Sequence, residues 1–316
     1  MEDIKEEIIV KLQEQLGDEV ELRRQEIQKT NGIVKDGVTV RYPGENVSPN
    51  IYLDDLCDMY LRGYSIENIV EVTVDKLREV RAAAPPVPEI TAEEARKNLY
   101  CVVVSAADNE EMLKNVPHQK LEDLAVVPRF RVGEDGSFLV TNEICSNLQL
   151  TESEVMEMAR ANTARQEFKL QTMGEIMTQM MIRDGMPPEF LDEIKVQFEE
   201  CPLWVLTNSR GVDGAAVLTC PKEMKEAYSR IGDAYYVLPS SRHEVILCPK
   251  SFGAEPDELR SMVRSINASD VVADIDRLSD SVYLFNGRKL TMVEEQVQER
   301  TMAEEQVQER TRHHSR

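Results

Sequence analysis

The last third of the chain carries four β-type runs, at 203–207, 215–219, 234–238 and 244–247, joined by short turns or a single helix. No regular alternation of strand and helix runs through it, so nothing demands the crossovers of a parallel sheet. This pattern predicts an antiparallel sheet flanked by helices, completed by a helix opened at Pro256 and a last strand over 281–285.

The N-terminal stretch reads differently. Ile4, Ile8, Ile9, Leu12 and Leu16 form one helical stripe that Gly17 stops. Val20 and Leu22 open a strand, Asn31-Gly32 signals a reversal, and 33–40 returns with a bulge expected at Asp36-Gly37. Asn50 to Leu53 leads into a short acidic helix ending at Gly63, and Ser65 caps a further helix with Ile66, Ile69, Val70 and Leu77 on one stripe. The Ala- and Pro-rich stretch 83–90 reads as a linker, or equally as a stiff surface loop. Beyond it, Thr91 with Glu94 and Thr151 with Glu154 are capping boxes, 99–104 is a buried-type strand, and 125–132 and 138–141 form a hairpin. Helices are expected near 109–114, 172–184 and 188–199. The fold class is α+β: a helix–hairpin–helix N-terminal unit over 1–82, then a larger unit over 91–289 with a mostly antiparallel sheet flanked by helices. About 80 residues bury too little surface to stand well alone, so the first unit is expected to dock on the second. Residues 290–316 form a charged tail in which a ten-residue stretch is repeated, a period that fits no coiled coil and reads as a solvated, fraying helix.

Acidic residues outnumber basic ones 58 to 37, giving a formal charge of -21. Such a field repels phosphate backbones and anionic bilayers, which argues against nucleic-acid and membrane partners. No apolar run approaches the roughly 20 residues of a spanning helix, and Met1 to Glu7 lacks the basic start of a signal peptide, so a cytoplasmic location is expected. The six cysteines lie far apart, several within apolar runs, as buried reduced thiols do.

Ser240, Ser241, His243 and Glu244 bring a nucleophile, a base and a carboxylate close together in the sequence. On a strand from Arg242 to Leu247, however, Glu244 faces away from His243, so a triad needs a distant acid. The structural reading has the serines bonding the strand-entry turn and the histidine filling a polar spot. His118 and His243 are the metal-ligand candidates, but the helical zinc pattern is absent because Leu247 stands four after His243. Within 208–214, Asn208, Arg210, Gly211 and Gly214 could turn backbone amides toward an anion, and a hairpin loop needs the same residues. Met173, Met177, Met180 and Met181 lie near helical spacing with Ile176, as core filling or as an adaptable groove for a protein partner.

Several stretches stand out together: Thr30-Asn31-Gly32, Ser48-Pro49-Asn50-Ile51-Tyr52-Leu53, Val116-Pro117-His118, Asp123-Leu124-Ala125-Val126-Val127, Pro239-Ser240-Ser241-Arg242-His243-Glu244-Val245 and Leu278-Ser279-Asp280-Ser281-Val282-Tyr283. In this order the chain resembles, over nearly residues 1–286, a family of anaerobic gut bacteria known only as a domain of unknown function. A fainter likeness, in Pro-His and Asp-Leu-Ala-Val-Val, is to the YtpQ-like family. Neither resemblance implies catalytic residues or a cofactor. The residues point to a non-enzymatic binding or regulatory protein without a cofactor, with a hydrolase using Ser241, His243 and a distant carboxylate as the alternative.

Overall fold

The computed structural model describes residues 1–45, 48–83, 91–133, 136–185, 201–239, 241–269 and 271–295. The stretch 84–90 of the expected linker, the helix read over 188–199, Ser240 and the tail from 296 onward lie outside the described residues.

Helix α1 (Glu2–Leu16) buries Ile8 and Leu12. Strands β1 (Glu21–Gln28) and β2 (Val34–Arg41) pair antiparallel around a short 3-10 turn at Thr30–Gly32, where Asn31 takes the left-handed backbone at φ 61. The expected bulge is absent, because Asp36 and Gly37 pair one-to-one with Glu26 and Gln25. Glycine serves packing there: a Cβ on Gly37 would lie 2.3 Å from the Ile27 side chain. Asn50–Tyr52 adds a third strand, β3, so the first unit is a three-stranded sheet, not a bare hairpin between helices. Helices α2 (Leu53–Leu61) and α3 (Ile66–Ala83) close its core around Val40, Ile51, Leu56, Ile69 and Val74.

Helix α4 (Ala92–Asn98), capped by Thr91, leads into β4 (Leu99–Ser105), which is buried on both faces and so reads as a continuous apolar run. The short α5 (Glu110–Leu113) is followed by β5 (Gln119–Leu121), β6 (Leu124–Val132) and β7 (Gly136–Leu139). The second sheet has the order β4-β6-β5, with β7 also on β6. Helices α6 (Asn142–Asn147) and α7 (Glu152–Thr163) follow, α7 opened by the expected capping box.

The third sheet has the order β13-β12-β10-β11-β9-β8 and is antiparallel throughout. Its strands are β8 (Phe168–Thr172), β9 (Trp204–Asn208), β10 (Tyr235–Leu238), β11 (Val245–Pro249), β12 (Tyr283–Phe285) and β13 (Leu290–Met292). Between them come α8 (Met173–Arg183), α9 (Pro221–Ile231) and α10 (Pro256–Asn267). Leu290–Met292, read from the sequence as tail, is thus an edge strand on β12. The run 215–219, read as a strand, lies in a buried 3-10 helix, Gly214–Thr219. Gly214 and Ala215 donate their amides to the carbonyls of His243 and Arg242, which leaves no strand ladder for this segment to join.

The principal core lies between the second and third sheets. Cys101, Val103, Val126 and Phe130 meet Leu206, Tyr235, Val237, Leu247 and Tyr283 there, with α7 contributing Val155 and Ala159. The opposite face of β4 and β6, with Tyr100, Val102, Val104, Ala125 and Val127, turns toward Leu113 and Val116.

Candidate functional site

The segment Ser241–Glu244 does not enter the sheet. Ser241 makes an isolated antiparallel bridge with Arg277, the backbone bends at Arg242 and His243, and β11 starts only at Val245. The expected strand from Arg242 is therefore corrected, and side-chain alternation no longer decides who meets whom. Ser241 is buried at 4% exposure, and its Oγ accepts the backbone N–H of His243 at 3.0 Å. The ring of His243 has other partners: Nδ1 accepts from the Asp213 N–H at 3.3 Å, and Nε2 lies 3.3 Å from Asp276 Oδ1. A neutral imidazole protonated on Nε2 satisfies both contacts. Glu244 is half-buried and makes no hydrogen bond or ion pair among the described residues. Arg242 instead is locked to Asp213, with Nε 2.8 Å and Nη2 2.5 Å from one carboxylate oxygen, while the other accepts the Tyr100 hydroxyl at 3.1 Å. The geometry supplies a histidine–carboxylate pair without a serine hydroxyl on the ring.

The 208–214 loop turns its amides inward. Asn208, buried at 5% exposure, accepts the Arg210 N–H on Oδ1 and donates Nδ2 to Val212 O, and its carbonyl accepts the Gly211 N–H. The Asp213 and Gly214 amides go to His243, and those of Arg210 and Gly211 to Asn208, so the amides of Arg210, Gly211 and Gly214 serve internal bonds. Gly214 is needed for close approach: a Cβ would lie 2.3 Å from His243 O. His118 holds Val116 O through Nδ1 at 2.9 Å. Among the described residues no three or more His, Cys, Asp and Glu side chains gather at metal-ligand spacing.

Helix α8 buries none of its residues fully, which corrects the core-filling reading of its methionines. Met173, Met177 and Met181 are half-buried and Met180 is exposed. The reason is position: α8 follows β8, an edge strand, and lies beside it.

The concave feature that sequence reading missed is a cleft of about 1030 Å³ on the face of the second sheet that turns away from the principal core. Beneath it lie Val102, Val104 and Val127, each at most 3% exposed, and the half-buried Leu139. One wall is the turn around Thr30 and Gly32, the other runs from Asp108 to Val116, and Arg129 and Arg242 stand among its lining. Val102 pairs across the sheet with Val127, and Arg129 with Leu139, so the apolar floor runs directly into a guanidinium. Arg129 is half-buried; it donates Nε to Ser137 Oγ and Nη2 to Ser137 O, with no carboxylate partner among the described residues.

The family-like turn Thr30-Asn31-Gly32 braces one wall of this cleft, and the Asp123 and 278–283 stretches are tied to each other. Asn31 Nδ2 donates to Asp274 O and Arg277 O, and its backbone N–H goes to Asn109 Oδ1 at 2.8 Å. Asn109, buried at 2% exposure, donates Nδ2 to Asn31 Oδ1 and Ser105 O. Asp123 accepts the hydroxyls of Ser279 (2.7 Å), Ser281 (2.9 Å) and Tyr283. Burial among apolar neighbours pushes the Tyr283 phenol upward, and the adjacent Asp123 carboxylate adds to the effect.

A family model described as a family of unknown function (DUF5688) matches residues 1–287. The chain belongs to this family. The match takes in both walls and the floor of the cleft, whereas the repeated tail falls outside it. The YtpQ-like likeness gains no support from these comparisons. No curated protein and no solved structure matched the chain. Among the described residues no helix is long and apolar enough to cross a membrane.

Proposed function

We propose that this chain is a non-enzymatic binding protein of the cytoplasm, and that the cleft on the second sheet is its site. The ligand is a small molecule with an apolar body and an acidic end. The observation that carries this reading is Arg129, a half-buried guanidinium without a carboxylate partner among the described residues, at the end of a floor of valines and leucine. A charge held partly out of water gains most from a counter-charge, and an apolar floor beside it rewards a chain or ring on the same ligand. Arg242 is already neutralised by Asp213 and shapes the cleft without needing a ligand.

The hydrolase alternative keeps one of its two legs. Asp276 is the carboxylate it required from another segment, but the Ser241 hydroxyl sits on the backbone of residue 243 and not on the ring. General-base activation needs that second contact.

Octanoate, an apolar chain with a carboxylate, is the simplest probe. It is expected to raise the unfolding midpoint of the wild-type chain in a saturable manner, and to lose that effect in Leu139→Trp, which fills the floor from its half-buried rim position. Equal shifts in both proteins, or none in either, would count against the cleft. A turnover of aryl esters that disappears in Ser241→Ala would restore the hydrolase.

A further inference from the structure

A second, smaller concavity of about 370 Å³ lies where α4, β6 and the end of α7 meet, and four cations line it: Arg96, Lys97, Arg131 and Arg165. In a chain with 58 acidic residues against 37 basic ones, such a gathering is unexpected unless each cation has an acid of its own. Among the described residues only Lys97 has a close ion pair, at 2.9 Å from Glu93, while Arg96 interacts with Glu93 and Glu154 at longer range. The nearby carboxylates are otherwise engaged: Glu94 accepts from Asn98, and Glu154 closes the cap on Thr151. Among the described residues the Arg96 side chain makes no hydrogen bond or close ion pair, Arg131 Cζ stands 4.7 Å from the Tyr100 ring centroid, and Arg165 donates only to the neutral Asn162 Oδ1.

Arginines at helix C-termini often serve the free carbonyls and the negative end of the dipole. That duty is filled by others here. Asn162 Nδ2 donates to Arg96 O (2.9 Å) and Leu99 O (2.8 Å), and the backbone amides of Ala164, Arg165 and Gln166 close the last turn of α7. Three guanidiniums therefore border one cleft; among the described residues Arg96 has Glu93 and Glu154 within electrostatic range, whereas Arg131 and Arg165 have no carboxylate partner, and Arg131 stands over the Tyr100 ring.

We propose that Arg96, Arg131 and Arg165 form a binding site for a small ligand carrying adjacent anionic oxygens, of the diphosphate type. Planar guanidiniums match phosphate oxygens two at a time, and three of them call for more than a single charge. The ligand is small because the cleft is, and because the -21 charge of the whole chain repels long polyanions. This site adjoins the apolar cleft but shares no lining residue with it: Arg129 and Arg131, two apart on one face of β6, line different concavities.

Calorimetric titration with inorganic pyrophosphate at low ionic strength tests it. The wild-type chain is expected to give a saturable one-to-one isotherm that weakens with salt, and orthophosphate a weaker one. In the Arg96→Gln, Arg165→Gln double variant, both positions being exposed and safe for folding, the dissociation constant should rise about tenfold or more, as for the loss of one or two charge-assisted contacts. Leu139→Trp should leave the isotherm unchanged. The proposal is overturned if pyrophosphate gives no saturable heat, if the double variant binds as the wild type does, or if Leu139→Trp abolishes binding, which would move the anion to the apolar cleft.

Discussion

Asp213 shows how one residue can serve backbone and charge at once. It holds a left-handed backbone at φ 56, which aspartate tolerates better than most side chains, and its amide reaches the His243 ring while its carboxylate takes Arg242 and Tyr100. Both partners of the ion pair are largely buried, at 13% and 5% side-chain exposure. Removing one leaves the other charged and unpaired, so Asp213→Ala should cost about 3–5 kcal/mol in chemical denaturation. Asp213→Asn, which keeps the backbone preference and a hydrogen-bonding oxygen, should cost less. Equal losses in the two variants would assign the cost to the charge alone, and no loss in Asp213→Asn would show that the charge is not what matters. The thiols are the second residue-scale case. Burial pushes Cys101 up to about 12 and Cys220 up to about 11, and Cys57, Cys145 and Cys248 are buried too. Only Cys201 is half-exposed, so a thiol reagent at pH 8 should modify the native chain at Cys201 first and reach all six only in denaturant. Fast labelling of Cys101 would contradict the packing of β4.

At the level of elements, the first sheet carries an acid-sensitive clasp. The Arg24 guanidinium, and after it the Lys5 ammonium, hold the Asp36 carboxyl down to about 2 from its ordinary 3.8, tying α1 to the hairpin. A folded-state value below the unfolded one means that the clasp stabilises fully above about pH 4 and that its contribution is lost as pH falls toward 2. The acid-induced loss of stability over that window should be shallower in Asp36→Asn than in the wild type; identical slopes would rule the clasp out. Elements with strong local punctuation were legible before folding: Thr151 with Glu154 caps α7, Pro256 opens α10, and the Leu99 to Val104 run is β4. The segment 215–219 was misread because small apolar residues suit any buried backbone, and its hydrogen-bond partners, residues 242 and 243, are remote in sequence. The short edge strands β5, β8 and β13 carry too few apolar residues to announce themselves, and the bulge at Gly37 was inferred from a glycine that packing requires.

For the whole molecule, sequence reading reached the fold class and missed the cleft. Val102, Val127 and Arg129 are brought to one surface by the pairing of β4 with β6, and Thr30 joins them through the Asn31–Asn109 contact of the first unit's turn, neither of which a local reading shows. The Asn31–Asn109 exchange and the Asn31 bonds to residues 274 and 277 place that turn over the cleft, as docking of the first unit requires. Ser241 and His243, the nucleophile and base candidates of the sequence, make internal bonds beside it, to the His243 N–H and to the Asp213 N–H. If a ligand fills the cleft, the methyl groups of its floor must report it. A methyl NMR titration with octanoate should move the resonances of Val102, Val104, Val127 and Leu139 together along one binding curve, with Arg129→Gln weakening that curve. Shifts confined to surface methyls such as those of Met180 and Ile182, with the four floor residues unmoved, would contradict the account.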